Sequence, residues 1–333
     1  MLGGSGPGGP VLTVGVDVGG TSVRAGVVDG DGSVLDTARA GTPAGEEALE
    51  EAIGAAVAEL ASRHPVSAVG LAVAGFVAPD RRTVLFAPHL AWRRAPVAER
   101  IARRVGLPVV LEHDANAAAL AEHRFGAARG ARVAALVALG TGIGGALLVD
   151  GEVFRGAHGV APELGHLRLV PDGRPCPCGK SGCWERYCSG TALGATAVEL
   201  LARHPGLSTV LAREAADDPR KVTGRRVAGA ARDGDPLAQR AVADLARWLG
   251  DGLALVADVY DPEVVVIGGG VSESAPLFLD DARERYAEVV TGAGHRPLAR
   301  LRTAQLGDDA GIVGVATLAR EVAPLTSRNG RVR

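Results

Sequence analysis

The chain has 333 residues, 47% of them hydrophobic but only 3% aromatic, so it has room for two domains whose cores must be built from Ala, Val and Leu. A formal net charge of −2 excludes the broad basic footprint of a nucleic-acid binder. The opening MLGGSGPGGP has no basic n-region and no apolar h-region, so residues 1–10 read as a flexible leader and not as a signal peptide.

From Val11, three short runs rich in Val are punctuated by Gly19-Gly20 and by Gly30 and Gly32, which predicts an antiparallel meander. Glu46 to Arg63 carries glutamates in its first turn and Ala and Leu along its length, which predicts a helix. Val66 to Ala74 is a continuous apolar run, the pattern of a strand buried on both faces. Pro108 to Leu111 reads as a short strand and Ala115 to Phe125 as an Ala-rich helix. From Ala131 the sequence ARVAALVALGTGIGGALLVDGEVF repeats the opening design: strand, glycine-rich turn with a threonine, strand, Asp-Gly turn, strand. Two similar lobes facing one another across a cleft are expected from this weak internal repeat. The uncharged stretch from Val133 to Val149 falls short of the roughly 20 residues of a membrane helix and contains Gly140, Gly142, Gly144 and Gly145. Two strands fit it better than a span.

Gly190 to Arg203 and Pro236 to Ala257 predict helices, the second with apolar residues at helical spacing from Ala241 to Val256. Glu263 to Ile267 reads as a buried strand ending in Gly268, Gly269 and Gly270. Asp308 to Val322 reads as a last helix, and residues 323–333 as a flexible tail. No linker marks a boundary, so the repeat places one near Asp114. The expected lobes are residues 11–113, on which the last helix (about 308–322) could pack, and residues 114–307.

All four cysteines lie within ELGHLRLVPDGRPCPCGKSGCWERYC, residues 163–188. His166, Cys176, Cys178 and Cys183 offer one imidazole and three sulfurs, the donor set of a closed structural zinc site. Reduced, unliganded cysteines are the alternative, but such residues are usually scattered and buried. Cys188, beyond the loop, is not expected to ligate. Thiolate ligation suits a reducing compartment, so a cytoplasmic protein is expected. Glu163 and Glu185 flank the group and suit a ligand with hydroxyls.

Asp17, Gly19, Gly20 and Thr21 follow a strand, where exposed amides could hold phosphate oxygens and the aspartate a magnesium ion. An ordinary hairpin turn is the alternative. The second turn, Gly140 to Gly145, raises the odds for phosphate. It also satisfies G-x-G-x-x-G, but a strand and not a helix follows it, which excludes a dinucleotide fold. Gly179-Lys180-Ser181 is not a P-loop, because Arg174 stands where the first glycine belongs. Asp114 is placed as a helix N-cap. An ionised aspartate at a helix N-terminus is also a usable general base toward a hydroxyl.

The motifs DVGGTSVRAG, DANAAALAE, LGTGIGGALL, ELGH with CPCGKSGCWE, and VVVIGGGVS resemble the ROK family of repressors, open reading frames and kinases. The resemblance covers about Val11 to Ala319. GCWE and FAPHLAWR resemble its bacterial glucokinase branch. The resemblance implies an α/β, two-lobed, actin-like ATPase (ribonuclease H-like) fold, with an inter-lobe cleft and a structural zinc loop. It implies Asp114 as catalytic base. Glu163, His166 and Glu185 would contact sugar hydroxyls, with His113, His89 and Gly75 also at the sugar. Asp17, Gly19, Gly20, Thr21, Thr141 and Gly142 would face phosphates and Mg2+. Gly268, Gly269 and Gly270 would lie near the adenosine. His166, Cys176, Cys178 and Cys183 would hold zinc, His166 through one ring nitrogen while the other meets the sugar.

The implied activity is ATP-dependent phosphorylation of a hexose, most readily glucose to glucose 6-phosphate. The cofactors are ATP, Mg2+ and structural Zn2+. The partners are a sugar and a nucleotide, with no nucleic acid and no membrane, in a homo-oligomer (dimer or tetramer). Kinases for an N-acyl amino sugar or another hexose, and a non-catalytic sugar sensor lacking its DNA-binding domain, are the alternatives. Family repressors carry a winged helix-turn-helix before the first strand, and only ten residues stand there. Two positions depart from the pattern: His113 and His89 replace asparagines that contact or border the sugar. If His113 met the sugar, protonation would replace its acceptor by a donor, so sugar affinity is expected to weaken on acidification.

Overall fold

The computed structural model describes residues 11–204 and 206–323, so the expected leader and nearly all of the expected tail lie outside the described residues. Backbone contacts divide the chain into two compact units. The first runs to Phe125 and also takes Arg155–Val160 and the chain from Asp308 on. The second holds Gly126–Phe154 and Ala161–Gly307.

The first unit opens with β1 (Leu12–Val18), β2 (Ser22–Val28) and β3 (Val34–Gly41), the expected antiparallel meander. Helix α1 (Glu46–Arg63) leads to β4 (Val66–Val73), which lies parallel to β1. A small antiparallel sheet of β5 (Phe76–Val77), β6 (Val84–Phe86) and β7 (Arg93–Ala95) follows. Then come α2 (Val97–Val105), β8 (Val109–His113), parallel to β4, and α3 (Asp114–Phe125). The main sheet has the order β3-β2-β1-β4-β8.

The second unit repeats this topology. Strands β9 (Val133–Leu139), β10 (Ile143–Val149) and β11 (Glu152–Val153) form a meander that takes up the uncharged stretch from Val133 to Val149. Helices α4 (Gly190–Arg203), α5 (Val210–Asp217), α6 (Gly224–Arg232) and α7 (Pro236–Tyr260) precede β12 (Val264–Gly268). Helix α8 (Leu279–Val289) and β13 (Arg300–Thr303) complete it. Its sheet order, β11-β10-β9-β12-β13, matches that of the first sheet strand for strand. The last helix, α9 (Ala310–Val322), belongs to the first unit and packs on β1, β4 and α3.

Two sequence expectations change. Helix α3, assigned to the second lobe by the repeat, packs within the first unit because α9 returns to lie against it. Asp114 is the first residue of α3 and not its N-cap, since β8 runs into the helix at His113 without an intervening loop. Among the described residues no helix is long and apolar enough to cross a membrane.

Candidate active site

The first unit presents a turn, an acid and a histidine loop. Asp17 is the penultimate residue of β1, and Gly19, Gly20 and Thr21 carry the chain into β2, closed by Gly19 N–H donating to Ser22 O at 3.1 Å. Asp17 Oδ2 accepts from Arg24 Nη2 at 2.7 Å. Burial pushes the Asp17 carboxyl up; Arg24 works against this, and the nearby Asp114 and Asp308 carboxylates add to it. Three acids sharing a partly dry corner with one arginine suit a divalent cation. His89 stands over the turn: a Cβ on Gly20 would lie 3.1 Å from His89 Cβ. Arg93 Nη1 fixes the His89 loop by donating to the carbonyls of Ala87, Leu90 and Trp92. Gly75 is buried under the backbone of Phe86 and Ala87.

Asp114 opens α3 with its side chain 44% exposed. Its Oδ1 accepts from Ala115 N–H at 2.7 Å and faces His113 Nε2 at 3.1 Å. His113 therefore turns a ring nitrogen to Asp114. Behind them Glu112 is buried and pairs with Arg155, a contact that the sequence reading missed. No local spacing could have revealed it, since the partners are 43 residues apart.

The second unit carries the metal cluster. Ligand atoms of His166, Cys176, Cys178 and Cys183 all lie within 4.8 Å of one another. Cys178 Sγ is 3.6 Å from Cys183 Sγ, and Cys176 Sγ is 3.8 Å from His166 Nδ1. Tetrahedral zinc with Zn–S bonds of about 2.3 Å spaces its donors about 3.8 Å apart, so the cradle has the right size. Burial, with the neighbouring Glu185 and thiols, raises the Cys176 thiol. Burial also opposes ionisation of Cys178, but the Lys180 amide, the two other thiols and the Lys180 charge bring it down overall. Cys188 is buried away from the cluster.

His166 turns Nδ1 to Cys176 and Nε2 toward Glu163, 4.0 Å away. Glu185 Oε1 lies 3.6 Å from His166 Nδ1 and 3.1 Å from Cys176 Sγ. Its Oε2 lies against Gly142, where a Cβ would collide with it. Trp184, fully buried, donates from Nε1 to Trp248 O on α7 at 2.8 Å and anchors the short 3-10 turn that carries Glu185. Arg174 ties the loop to Arg186 O and, on α4, to Thr196 and Glu199.

Thr141 and Gly140 edge an open cavity of about 990 Å3, also lined by Gly190, Arg225, Gly270 and Ser274. Gly190 begins α4 and donates from N–H to Gly140 O at 2.8 Å, so the second glycine turn abuts a helix N-terminus, a favourable place for phosphate. Gly268 is buried and Gly269 and Gly270 are exposed, of which Gly270 reaches the cavity. The arginines of this wall, Arg220, Arg225 and Arg232, were also missed. The run PRKVTGRR was the available signal.

Residues 13–322 match the model of the ROK family. The chain belongs to the ROK family. A glucokinase from Streptomyces coelicolor is 45% identical over 94% of this ROK chain and 99% of its own. A ROK family glucokinase from Streptomyces griseus, solved with glucose and AMPPNP, superposes with a TM-score of 0.83 at 46% identity, covering 93% of this chain and 99% of that one. A ROK hexokinase from Thermus thermophilus gives a TM-score of 0.76 at 34% identity over 94% and 99% of the two chains. The fold is accordingly the actin-like ATPase fold of ROK sugar kinases, and the protein is an ATP-binding hexose kinase.

Proposed function

We propose that the protein transfers the γ-phosphoryl group of ATP to the 6-hydroxyl of glucose. The observation that carries this reading is the likeness, across 93% of the chain, to a glucokinase solved with glucose and an ATP analogue. In this reading Glu163, His166 Nε2 and Glu185 hold sugar hydroxyls. Asp114 accepts the 6-hydroxyl proton as that oxygen attacks the γ-phosphorus in line. The bond from phosphorus to the bridging oxygen breaks and ADP leaves. Oδ1 of Asp114 is already engaged, which leaves Oδ2 to take the proton.

The amides of the Gly19–Gly20 and Gly140–Gly142 turns face the phosphates, and the cavity beside Gly270 takes the adenosine. Magnesium at Asp17 would neutralise charge on the phosphates. Zinc at His166, Cys176, Cys178 and Cys183 would fix the loop that presents His166 and Glu185, with no part in bond making. A cysteine-rich metal loop of this kind fits a cytoplasmic enzyme, and a homo-oligomer belongs to the same reading.

A non-catalytic sensor has no use for a carboxylate whose one oxygen is held and whose other is open. The test is ADP release from ATP with glucose, mannose, fructose and N-acetylmannosamine. Glucose should give the highest kcat/KM. A preference for the N-acyl amino sugar would move the protein to another branch, and no ADP release with any sugar would remove the kinase reading.

A further inference from the structure

The network behind Asp114 has no role in the reading above. Glu112 is 2% exposed and its carboxylate is fully engaged. Oε2 accepts from Arg155 Nε at 2.8 Å and faces Arg155 Nη2 at 2.6 Å. Oε1 accepts from His113 N–H at 3.1 Å and from Asn116 Nδ2 at 3.0 Å. These partners come from three places. His113 ends β8, Asn116 lies in the first turn of α3, and Arg155 opens the six-residue return of the chain to the first unit. Asp114 sits between the first two. Glu112 thus grips the backbone on the strand side of Asp114 and a buried side chain on its helix side.

From this geometry we infer that Arg155, acting through Glu112, is a positioning residue for the catalytic base; the inference rests on Asp114 being that base. A buried carboxylate with two charge-assisted bonds from one guanidinium holds its place. Without Arg155 the same carboxylate is an unpaired anion in a dry site. It would then relax toward solvent and pull His113 N–H and Asn116 with it. A displacement of about 1 Å at a reacting group can cost on the order of 100-fold in rate. The charges around Glu112 matter too. Arg155 is the cation that meets it, Asp114 and the His113 ring lie on the adjoining turn, and Asp17, with Arg24 and Asp308, stands near Asp114. Loss of Arg155 would add an uncompensated negative charge to this corner. An added negative charge favours protonation of the groups around it, so the pH profile of kcat reports the change.

Arg155→Met, Arg155→Lys, Glu112→Gln and the Glu112→Gln/Arg155→Met double variant decide it, assayed with ATP and glucose from about pH 5.5 to about pH 9. Arg155→Met should lower kcat by about 10- to 100-fold. Its glucose KM should stay within about threefold of wild type, and the acid limb of its kcat profile should move to higher pH. Arg155→Lys keeps the charge but loses the fork, so its acid limb should stay in place while kcat falls less. The double variant leaves no buried charge and should be more active than Arg155→Met.

Wild-type kcat in Arg155→Met would overturn the inference. So would a KM rise that matches the loss of kcat with an unmoved acid limb, which is the result of mere loosening. Should Arg155→Met not fold, Arg155→Lys and Glu112→Gln carry the same comparison of kcat with KM. A wild-type enzyme that is active on glucose and loses activity on Asp114→Asn, but not on any Arg155 change, sinks this inference and leaves the kinase reading standing. An inactive wild type sinks both.

Discussion

At the scale of single residues, the decisive atoms belong to Asp114. Ala115 N–H and His113 Nε2 both address Oδ1, so the carboxylate cannot rotate freely, and Oδ2 is the oxygen that takes the proton in the proposed mechanism. Asp114→Asn keeps the shape and one acceptor but cannot take a proton. Its kcat should fall by roughly 100- to 10,000-fold while glucose affinity, read by calorimetry, stays within a few-fold. A variant within about threefold of wild-type turnover would remove Asp114 from the mechanism. The His113 ring adds a geometric constraint to the expectation drawn from sequence. A ring nitrogen that addresses a carboxylate can donate whether the imidazole is neutral or protonated, so acidification need not disturb the contact. Wild type and His113→Asn should therefore show parallel trends of glucose Kd with pH. A wild-type affinity that collapses on acidification, and is rescued by the asparagine, would put the ring on the sugar after all.

At the scale of elements, the loop from Glu163 to Cys188 is the least regular part of the site. Its only repetitive structure is two 3-10 turns and isolated bridges between Arg168 and Cys183 and between Pro175 and Ser181. Such a segment has little hydrogen-bonding ladder of its own, so a bound metal would supply much of its rigidity. Elemental analysis of dialysed protein should find one zinc per chain, and Cys178→Ala should find none, with a lower Tm and a higher glucose KM. Full zinc content in that variant would refute the ligand set. A second support is Trp184, whose ring lies so close to Gly252 on α7 that an added Cβ would collide with it. Gly252→Ala should cost about 1–3 kcal/mol by overpacking, and it should raise glucose KM because Glu185 follows Trp184. An unchanged Tm and KM would show that the ring has room to move.

Asp36 on β3 gives a prediction in pH. The His64 ring, opposed by burial and joined by the Thr37 amide and the Arg63 guanidinium at the end of α1, holds its carboxyl below the usual carboxylate range. A depressed carboxyl stabilises the fold fully above its unfolded value and loses that contribution as pH falls through the folded one. Asp36→Asn should therefore lower Tm at neutral pH, and the difference should close as pH falls through the lowered folded-state range of the carboxyl. A constant difference across that range would mean that packing, not charge, matters there.

The same scale shows what the sequence made legible. Helices α1 and α4 were readable to the residue, because acids open α1 and a serine caps α4. Strands β5 to β7 were not, because they are two or three residues long and leave Phe76 and Phe86 exposed, against the usual alternation. Helix α2 hid behind its four charged residues, Glu99, Arg100, Arg103 and Arg104. In the site, the clustering of His166 with three cysteines was legible because all four share one loop. Glu112 with Arg155 was not, because only the path of the chain brings them together.

At the scale of the whole molecule, two copies of one sheet topology are made unequal by chain order. The first unit is not complete until the chain has passed through the second, because α9 comes from the far end. Thr13 Oγ1, buried in β1, donates to Ala316 O of α9 at 2.8 Å across 303 residues of sequence. Helix α9 also crosses α3 so closely that a Cβ on Gly314 would strike the carbonyl oxygen of Ala117. That carbonyl belongs to the first turn of the helix that opens on Asp114. A backbone neighbour cannot swing aside as a side chain can, so a methyl at 314 must push the two helices apart. Gly314→Ala should then cost about 1–3 kcal/mol, a fall of a few degrees in Tm. It should also lower kcat more than it changes glucose KM, since the displaced helix opens on the proposed base, whereas Glu163 and Glu185, the proposed sugar ligands, belong to the second unit. Thermal unfolding and steady-state kinetics on the one variant separate the outcomes. A lower Tm with wild-type kcat would confine α9 to holding the unit together, and no change in either would show that the helices can part without cost.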